Sequence, residues 1–426
     1  MNVRLFIPVL LSVLVWGCSN NEHKAEAFAK KGVQSAQKGN MDEAEDDLDQ
    51  AIELNPKNAE AYYSRGIVKS RLEDWDGAFA DFTQTIALDS SNAGAYFSRG
   101  YVKVRKGDSG GAITDYTRAI EIEPKRAEFY GSRGLAKASQ GDLDGAIADY
   151  NRAIEIYPKG ASFFSSRGRA KAGVGDLDGA IADFTRCIEL DPKDADAYLS
   201  RALARYQNGD PDGAMADCTR AMDLKPVPVD ARTAQEHSLL GRLKFDRGDL
   251  TGAIAEFDQA IKLTPSDAGL YVDRGIANYV NNCASQAIQD FQQAAELHFT
   301  YSDYPRIFTW LAKAEKAGQR PLANQELKDY FLTRGTGTND WPFQIGRFLP
   351  GELSESDFLK AAGSTDPRTD KEQHCEAYFY TGIKLLYDGN VSLAKSYFQQ
   401  CIATDVKRFY EYRMARIKLK ELDAKN

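Results

Sequence analysis

Histidine is scarce in this 426-residue chain: there are four, and His23, His237, His298 and His374 stand far apart. None is paired at a ligand spacing, and no His-Glu-x-x-His run occurs, so no metal site is legible. A glycine-rich phosphate loop, a Gly-x-Ser-x-Gly elbow and a dinucleotide fingerprint are also missing, so no cofactor is expected and the chain does not read as an enzyme. Basic residues fall short of acidic ones, 54 against 62, for a formal charge of −8. A nucleic-acid surface needs a positive field, so no nucleic-acid partner is expected. Long apolar runs are lacking as well. The one at residues 5–16 would rise about 18 Å as a helix, short of a hydrocarbon layer of about 30 Å.

What the chain does have is repetition. Residues 127–160, AEFYGSRGLAKASQGDLDGAIADYNRAIEIYPKG, read as two helices joined by a turn. Counting from Ala127, an aromatic stands at position 4, glycine at 8, alanine at 20, an aromatic at 24, alanine at 27 and proline at 32. The same frame recurs at 25–58, 59–92, 93–126, 161–194 and 195–228 and, after five inserted residues at 229–233, at 234–267 and 268–301. Position 8 is glycine or, once, Ala202; position 20 is alanine throughout, from Ala44 to Ala287. These columns resemble the tetratricopeptide repeat, whose period is about 34 residues. The resemblance implies an all-α fold, a right-handed superhelical solenoid of antiparallel helix pairs. A unit this small buries its apolar face only against a neighbour, so the core should be a strip.

Another pair of columns is polar. Position 7 carries Arg65, Arg99, Arg133, Arg167, Arg201 and Arg274, and position 23 an acid in every frame, from Asp47 to Asp290. Either the arginines pair with those acids and set the repeat geometry, or they form a strip for partner carboxylates; since the acids accompany the arginines, the first reading is preferred. The Gly-Asp-Leu-Asp-Gly segments lack the alternating ligands of a calcium loop, so Asp142 reads as a helix cap.

The chain before the repeats divides into residues 1–17, with Arg4, an apolar run and Gly17, and a polar stretch at 18–24. The first reads as a secretory signal peptide. A small residue directly before Cys18, with aliphatic residues upstream, resembles the lipobox of bacterial lipoproteins. That implies cleavage before Cys18, its acylation, and a lipid-anchored protein tethered by residues 18–24; the other reading is an ordinary signal with a chance cysteine. Ser19 after the cysteine resembles the pattern of outer-membrane sorting.

After residue 301 the pattern blurs. Residues 302–370 read as a divergent helical segment, and 371–426 as a terminal repeat with Cys375, Tyr378, Gly382, Ala394, Phe398 and Cys401 in register, followed by a polar capping helix. Residues 340–420 resemble the C-terminal part of tetratricopeptide lipoproteins of the new lipoprotein I type. That resemblance implies an adaptor of the cell envelope, facing the periplasm from the outer membrane, able to form a homodimer and to bring a protease to cell-wall hydrolases. Of the cysteines, Cys187 and Cys218 fall on core columns. Cys375 and Cys401 open and close one helix pair, where a disulfide and two thiols are both open readings.

In the tetratricopeptide family the first helices line a concave groove through positions 2, 5, 9, 12 and 13. Here these supply Tyr63, Ile67, Phe97, Tyr101 and Leu135 in repeats two to four, and Tyr206, Phe245 and Tyr279 further along. Two readings stand for these rings: an anchoring surface for partner peptides, or packing between repeats. Arg71, Arg105, Arg169 and Arg242 are placed to meet acidic groups on a partner. The expected function is a membrane-anchored, non-enzymatic scaffold that binds other envelope proteins or peptides in the groove. The alternative is a cell-wall-binding or wall-modifying protein with its site in residues 335–369, where Asp340, Glu352, Glu355 and Asp357 are the available carboxylates.

Overall fold

The computed structural model describes residues 7–224, 231–297, 303–316, 318–334, 340–407 and 409–424, with the side chains of 7–20, 231 and 232 excepted. Among the described residues there are twenty-three helices and no strand. They group into two compact units, Met1–Pro192 and Lys193–Asn426.

The first unit holds five helix pairs: α1 (Ile7–Lys38) with α2 (Met41–Leu54), α3 (Ala59–Arg71) with α4 (Trp75–Leu88), α5 (Ala93–Arg105) with α6 (Ser109–Ile122), α7 (Ala127–Ser139) with α8 (Leu143–Ile156), and α9 (Ala161–Val174) with α10 (Leu177–Leu190). These are the first five 34-residue frames. Residues 18–24 are helical within α1, where Glu22, Lys24 and Ala25 favour helix and no glycine or proline interrupts the stretch.

The pairs from α3–α4 to α9–α10 are fastened by the same few devices. The second helix is capped by an aspartate whose side chain accepts from the backbone N–H of a glycine three residues on, as Asp142 does from Gly145 at 2.9 Å. A Cβ at Gly145 would overlap that carboxylate, so the cap dictates the glycine. The turn between helices passes through the left-handed region at Gly141, with φ +84°. Across the pair, Gly134 lies under the ring of Tyr150, and an added Cβ would stand 2.9 Å from it. The same contact recurs at Gly66 with Phe82, Gly100 with Tyr116 and Gly168 with Phe184. Where position 8 is Ala202, position 24 is the smaller Cys218.

The second unit begins with three more pairs: α11 (Ala195–Gln207) with α12 (Pro211–Leu224), α13 (Ala231–Arg247) with α14 (Leu250–Leu263), and α15 (Ala268–Val280) with α16 (Ala284–Glu296). The inserted residues reach into α13, which has 17 residues where α3, α5, α7, α9, α11 and α15 have 13 or 14. Then come α17 (Asp303–Ala314), α18 (Arg320–Thr333), α19 (Trp341–Phe348) and α20 (Glu355–Ala361), which make up the divergent segment. The terminal pair, α21 (Pro367–Tyr387) and α22 (Val391–Ala403), repeats the glycine-ring contact through Gly382 and Phe398, and α23 (Tyr410–Ala424) closes the order. One large core joins α13 to α23, with Trp310, Tyr279, Tyr380, Phe291 and Phe308 nearly inaccessible. Among the described residues no helix is long and apolar enough to cross a membrane.

The glycine column yields a direct expectation. Gly134→Ala should destabilise the array by about 1–3 kcal/mol through overpacking against Tyr150. Urea unfolding followed by circular dichroism checks it; an unchanged midpoint would mean that the ring yields without cost.

Candidate functional site

The arginine column is spent inside the fold. Arg133 donates from Nε and Nη2 to both oxygens of Asp149, at 2.9 and 2.6 Å, and from Nη1 to Thr117 of the preceding repeat at 3.1 Å. Arg65, Arg99, Arg167, Arg201 and Arg274 hold Asp81, Asp115, Asp183, Asp217 and Asp290 in the same way. A second basic column, missed in the sequence, stands at position 11. Lys103, Lys137 and Lys171 place Nζ 2.8–3.0 Å from the same buried aspartates. Where Leu240 replaces the arginine, Glu256 is held by His237 at 2.6 Å and Lys244 at 2.7 Å. Burial opposes its charge, yet these two partners keep the Glu256 carboxyl below its ordinary value. The ladder therefore sets repeat geometry and offers no strip to partner carboxylates. Arg133→Met should cost about 3 kcal/mol by stranding part of the charge of Asp149, with Lys137→Met costing less. Thermal melts of both variants test the order.

The groove residues of the first unit do not all face the same surroundings. Tyr63 and Phe97 are half-buried, with ring centroids 5.8 Å from Phe82 and 5.6 Å from Tyr116 respectively. Ile67 is half-buried beside them, whereas Tyr101 is 46% and Leu135 61% exposed. Ile67, Phe97 and Tyr101, with Trp75, Arg71 and Arg105, line a cleft of about 560 Å³. Trp75 lay outside the expected columns, and its ring stands edge-on to Tyr101 at 6.2 Å. The Arg105 guanidinium rests 5.1 Å above Trp75. Arg71 and Arg105 are exposed, and neither joins an ion pair among the described residues, so two cations flank an aromatic wall. Arg169 is exposed further along, on α9. A segment with acidic residues beside an apolar anchor matches this chemistry.

In the second unit the expectation needs correction. Phe245 and Tyr279 are 2% and 1% exposed, and Tyr206 is half-buried. They do not line an open groove, because α23 and α21 lie over them. Arg413 stacks 5.0 Å above Phe245, and the Tyr279 hydroxyl meets Tyr387 at 2.9 Å. Tyr206 donates to Asp246 at 2.9 Å, and burial, more than its charged neighbours, pushes its hydroxyl up to about 12. Arg242 is not available to a partner either; it is bound to Asp273 at 2.8 Å.

The remaining candidates are placed as follows. Cys375 and Cys401 are buried with sulfurs 3.5 Å apart and unbonded. The side chain of Cys18 and residues 335–339 lie outside the described residues. Asp340 caps α19 and binds Arg334, Glu352 pairs with Lys328, Glu355 accepts from Tyr397, and Asp357 accepts from Ser354. These carboxylates do not converge on one point, and among the described residues no group of acids, histidines or cysteines is arranged to hold a metal ion.

One buried acid pair went unread in the sequence. Glu376 of α21 and Glu411 of α23 are 4% and 3% exposed, accepting from Tyr304 and Tyr380 at 2.8 Å each. Burial pushes Glu411 from its ordinary 4.5 up to about 7 and Glu376 well above the carboxylate range. The unfolded chain then loses these protons first, so stability falls as pH rises from about 4.5 through 7. Melting the protein between pH 5 and 8 should show that decline, and Glu411→Gln should flatten it.

Family models described as tetratricopeptide repeat match residues 97–161 and 166–227, and models described as TPR repeat match 35–72 and 241–282. Solved structures similar to the chain include a tetratricopeptide repeat protein from Parabacteroides merdae, 20% identical, covering 60% of this chain and 99% of its own, with a TM-score of 0.46. YrrB, described as a TPR protein with an unusual peptide-binding site, is 24% identical over 42% of this chain and 92% of its own, with a TM-score of 0.38. MamA is 27% identical over 39% and 96%, with a TM-score of 0.37.

Proposed function

We propose that the chain, whose helix pairs match tetratricopeptide-repeat models over part of its length, is a protein-interaction scaffold that serves the bacterial cell envelope as a lipid-anchored adaptor. The anchor is acylated Cys18, and the location is the outer membrane, facing the periplasm. The clients are envelope proteins, a protease or a cell-wall hydrolase among them, each engaged through a segment that carries acidic residues beside an apolar anchor.

The observation that carries this reading is the cleft of the first unit. Tyr101 and Leu135 leave large apolar area in water, and Arg71 and Arg105 stand beside Tyr101 in a cleft that Glu73 also lines, neither of them in an ion pair among the described residues. Elsewhere in the repeats the arginine column is paired with acids, so the two unpaired cations mark where the chain's own needs end. An aromatic anchor desolvated between them, with its acids on the guanidiniums, would use the aromatic wall and both cations. Nothing in the placement of Asp340, Glu352, Glu355 and Asp357 favours the wall-modifying alternative.

The test pairs location with capture. Wild type should fractionate with the envelope membrane and Cys18→Ala should be soluble. Crosslinking in the envelope should recover a defined client with wild type, and Tyr101→Ala/Arg105→Ala should lose it at least tenfold. Both side chains are exposed, so the double variant should change stability by no more than about 0.5 kcal/mol per site. Undiminished capture by that variant would put the binding surface elsewhere, and a soluble wild type would remove the anchor.

A further inference from the structure

The concave face of the second unit is occupied by the chain itself. Three side chains of α23 do the docking, and they lie on one face of the helix, at i, i+3 and i+8. The Tyr410 hydroxyl meets the Asp273 carboxylate, and its ring stands edge-on to Phe308 at 6.1 Å. Arg413 donates to Asp246 at 2.7 Å while covering Phe245. Lys418 sits 5.0 Å over the ring of Tyr279 and 3.5 Å from Glu315. The groove side is acidic and aromatic and comes from α13, α15 and α17. The inserted side is basic and carries the tyrosine.

This is an unusual way to build a core. Arg413 and Lys418 are 6% and 4% exposed, and Glu411 on the same helix is 3% exposed. Burying ionised side chains stabilises less than apolar residues of the same shape would, whereas it specifies partner and register strongly. The acids that receive α23 also have second partners from the groove wall: Tyr206 on Asp246 and Arg242 on Asp273. Those partners preorganise the acids whether or not α23 is in place. We propose that the face formed by α11, α13, α15 and α17 is a helix-binding groove whose resting occupant is α23. It takes in trans a helix that presents tyrosine, arginine and lysine at the spacing of Tyr410, Arg413 and Lys418. This second site is independent of the cleft in the first unit and has the opposite charge preference.

The full-length chain and a fluorescent synthetic peptide of residues 409–424 test the idea. Wild type should bind the peptide weakly because the groove is filled. Tyr410→Ala/Arg413→Ala, in which the resident helix is loosened, should bind it at least tenfold more tightly, and adding Asp246→Asn should abolish the gain. A double variant that keeps its helical circular dichroism and binds no more peptide than wild type would overturn the proposal. Native-state hydrogen exchange on wild type covers the case in which the variant does not fold. The amides of α23 should then be at least tenfold less protected than those of α15 and α22, and exchange of all three only together would identify α23 as fixed core and end the proposal.

Discussion

The contact between a glycine and a ring sixteen residues later is the constraint on which the rest of the repeat depends. A pair of helices joined by a short turn has many registers open to it, and the choice is made where position 8 admits the ring of position 24 with no Cβ between them. Once Gly134 lies under Tyr150, the neighbouring Arg133 is level with Asp149, because both pairs share the offset of sixteen. The ion pair is then bidentate without further adjustment. Its remaining amino group reaches back sixteen residues to Thr117 of the preceding repeat. One side chain thereby couples the geometry within a repeat to the geometry between repeats, and copying the unit copies both.

That economy separates structure from binding. Columns that recur in most frames are consumed by the fold: the glycines, the alanines, the buried acids and the two basic columns that neutralise them. Columns that change from frame to frame are free to specialise. Position 9 runs Ile67, Tyr101, Leu135, Arg169, and position 13 runs Arg71, Arg105, Ser139, Gly173. Neither column sets the helix spacing, and between them they hold the exposed Tyr101 and Leu135 and the cations Arg71, Arg105 and Arg169. Variation along an otherwise strict repeat is here the mark of a surface.

The repeats, their boundaries and the pairing of arginine with acid were legible in the sequence because each depends on residues within one or two frames. The lysines at position 11 were not, since a lysine on an amphipathic helix reads as a solvated charge until its aspartate is seen to be buried. The fate of position 12 was beyond reach for a different reason. Tyr206, Phe245 and Tyr279 have the pattern of an open groove, and what closes it comes from far along the chain: Arg413 reaches Asp246 across 167 residues. Local periodicity carries no information about such a contact. Trp75 escaped for a simpler reason: it belongs to the second helix of its repeat, outside the columns that line the family's groove.

The end of the chain shows how the same columns serve two purposes. In the first unit position 12 carries Ser70, Val104, Ala138 and Ala172, small residues that leave the face shallow; in the second it carries the rings of Tyr206, Phe245 and Tyr279, which form a floor on which another helix can rest. A floor of rings alone would accept any apolar helix in any register. The acids Asp246 and Asp273 restrict that freedom, because beyond their groove-wall partners Tyr206 and Arg242 they still accept a cation and a hydroxyl, which an occupant must bring to the right heights. The helix α23 brings both, and it also carries Glu411, whose ionised form the interior opposes. Its docking therefore joins contacts that select one partner face to a buried acid that favours the protonated state, so the polar groups, more than the rings, decide what may lie there.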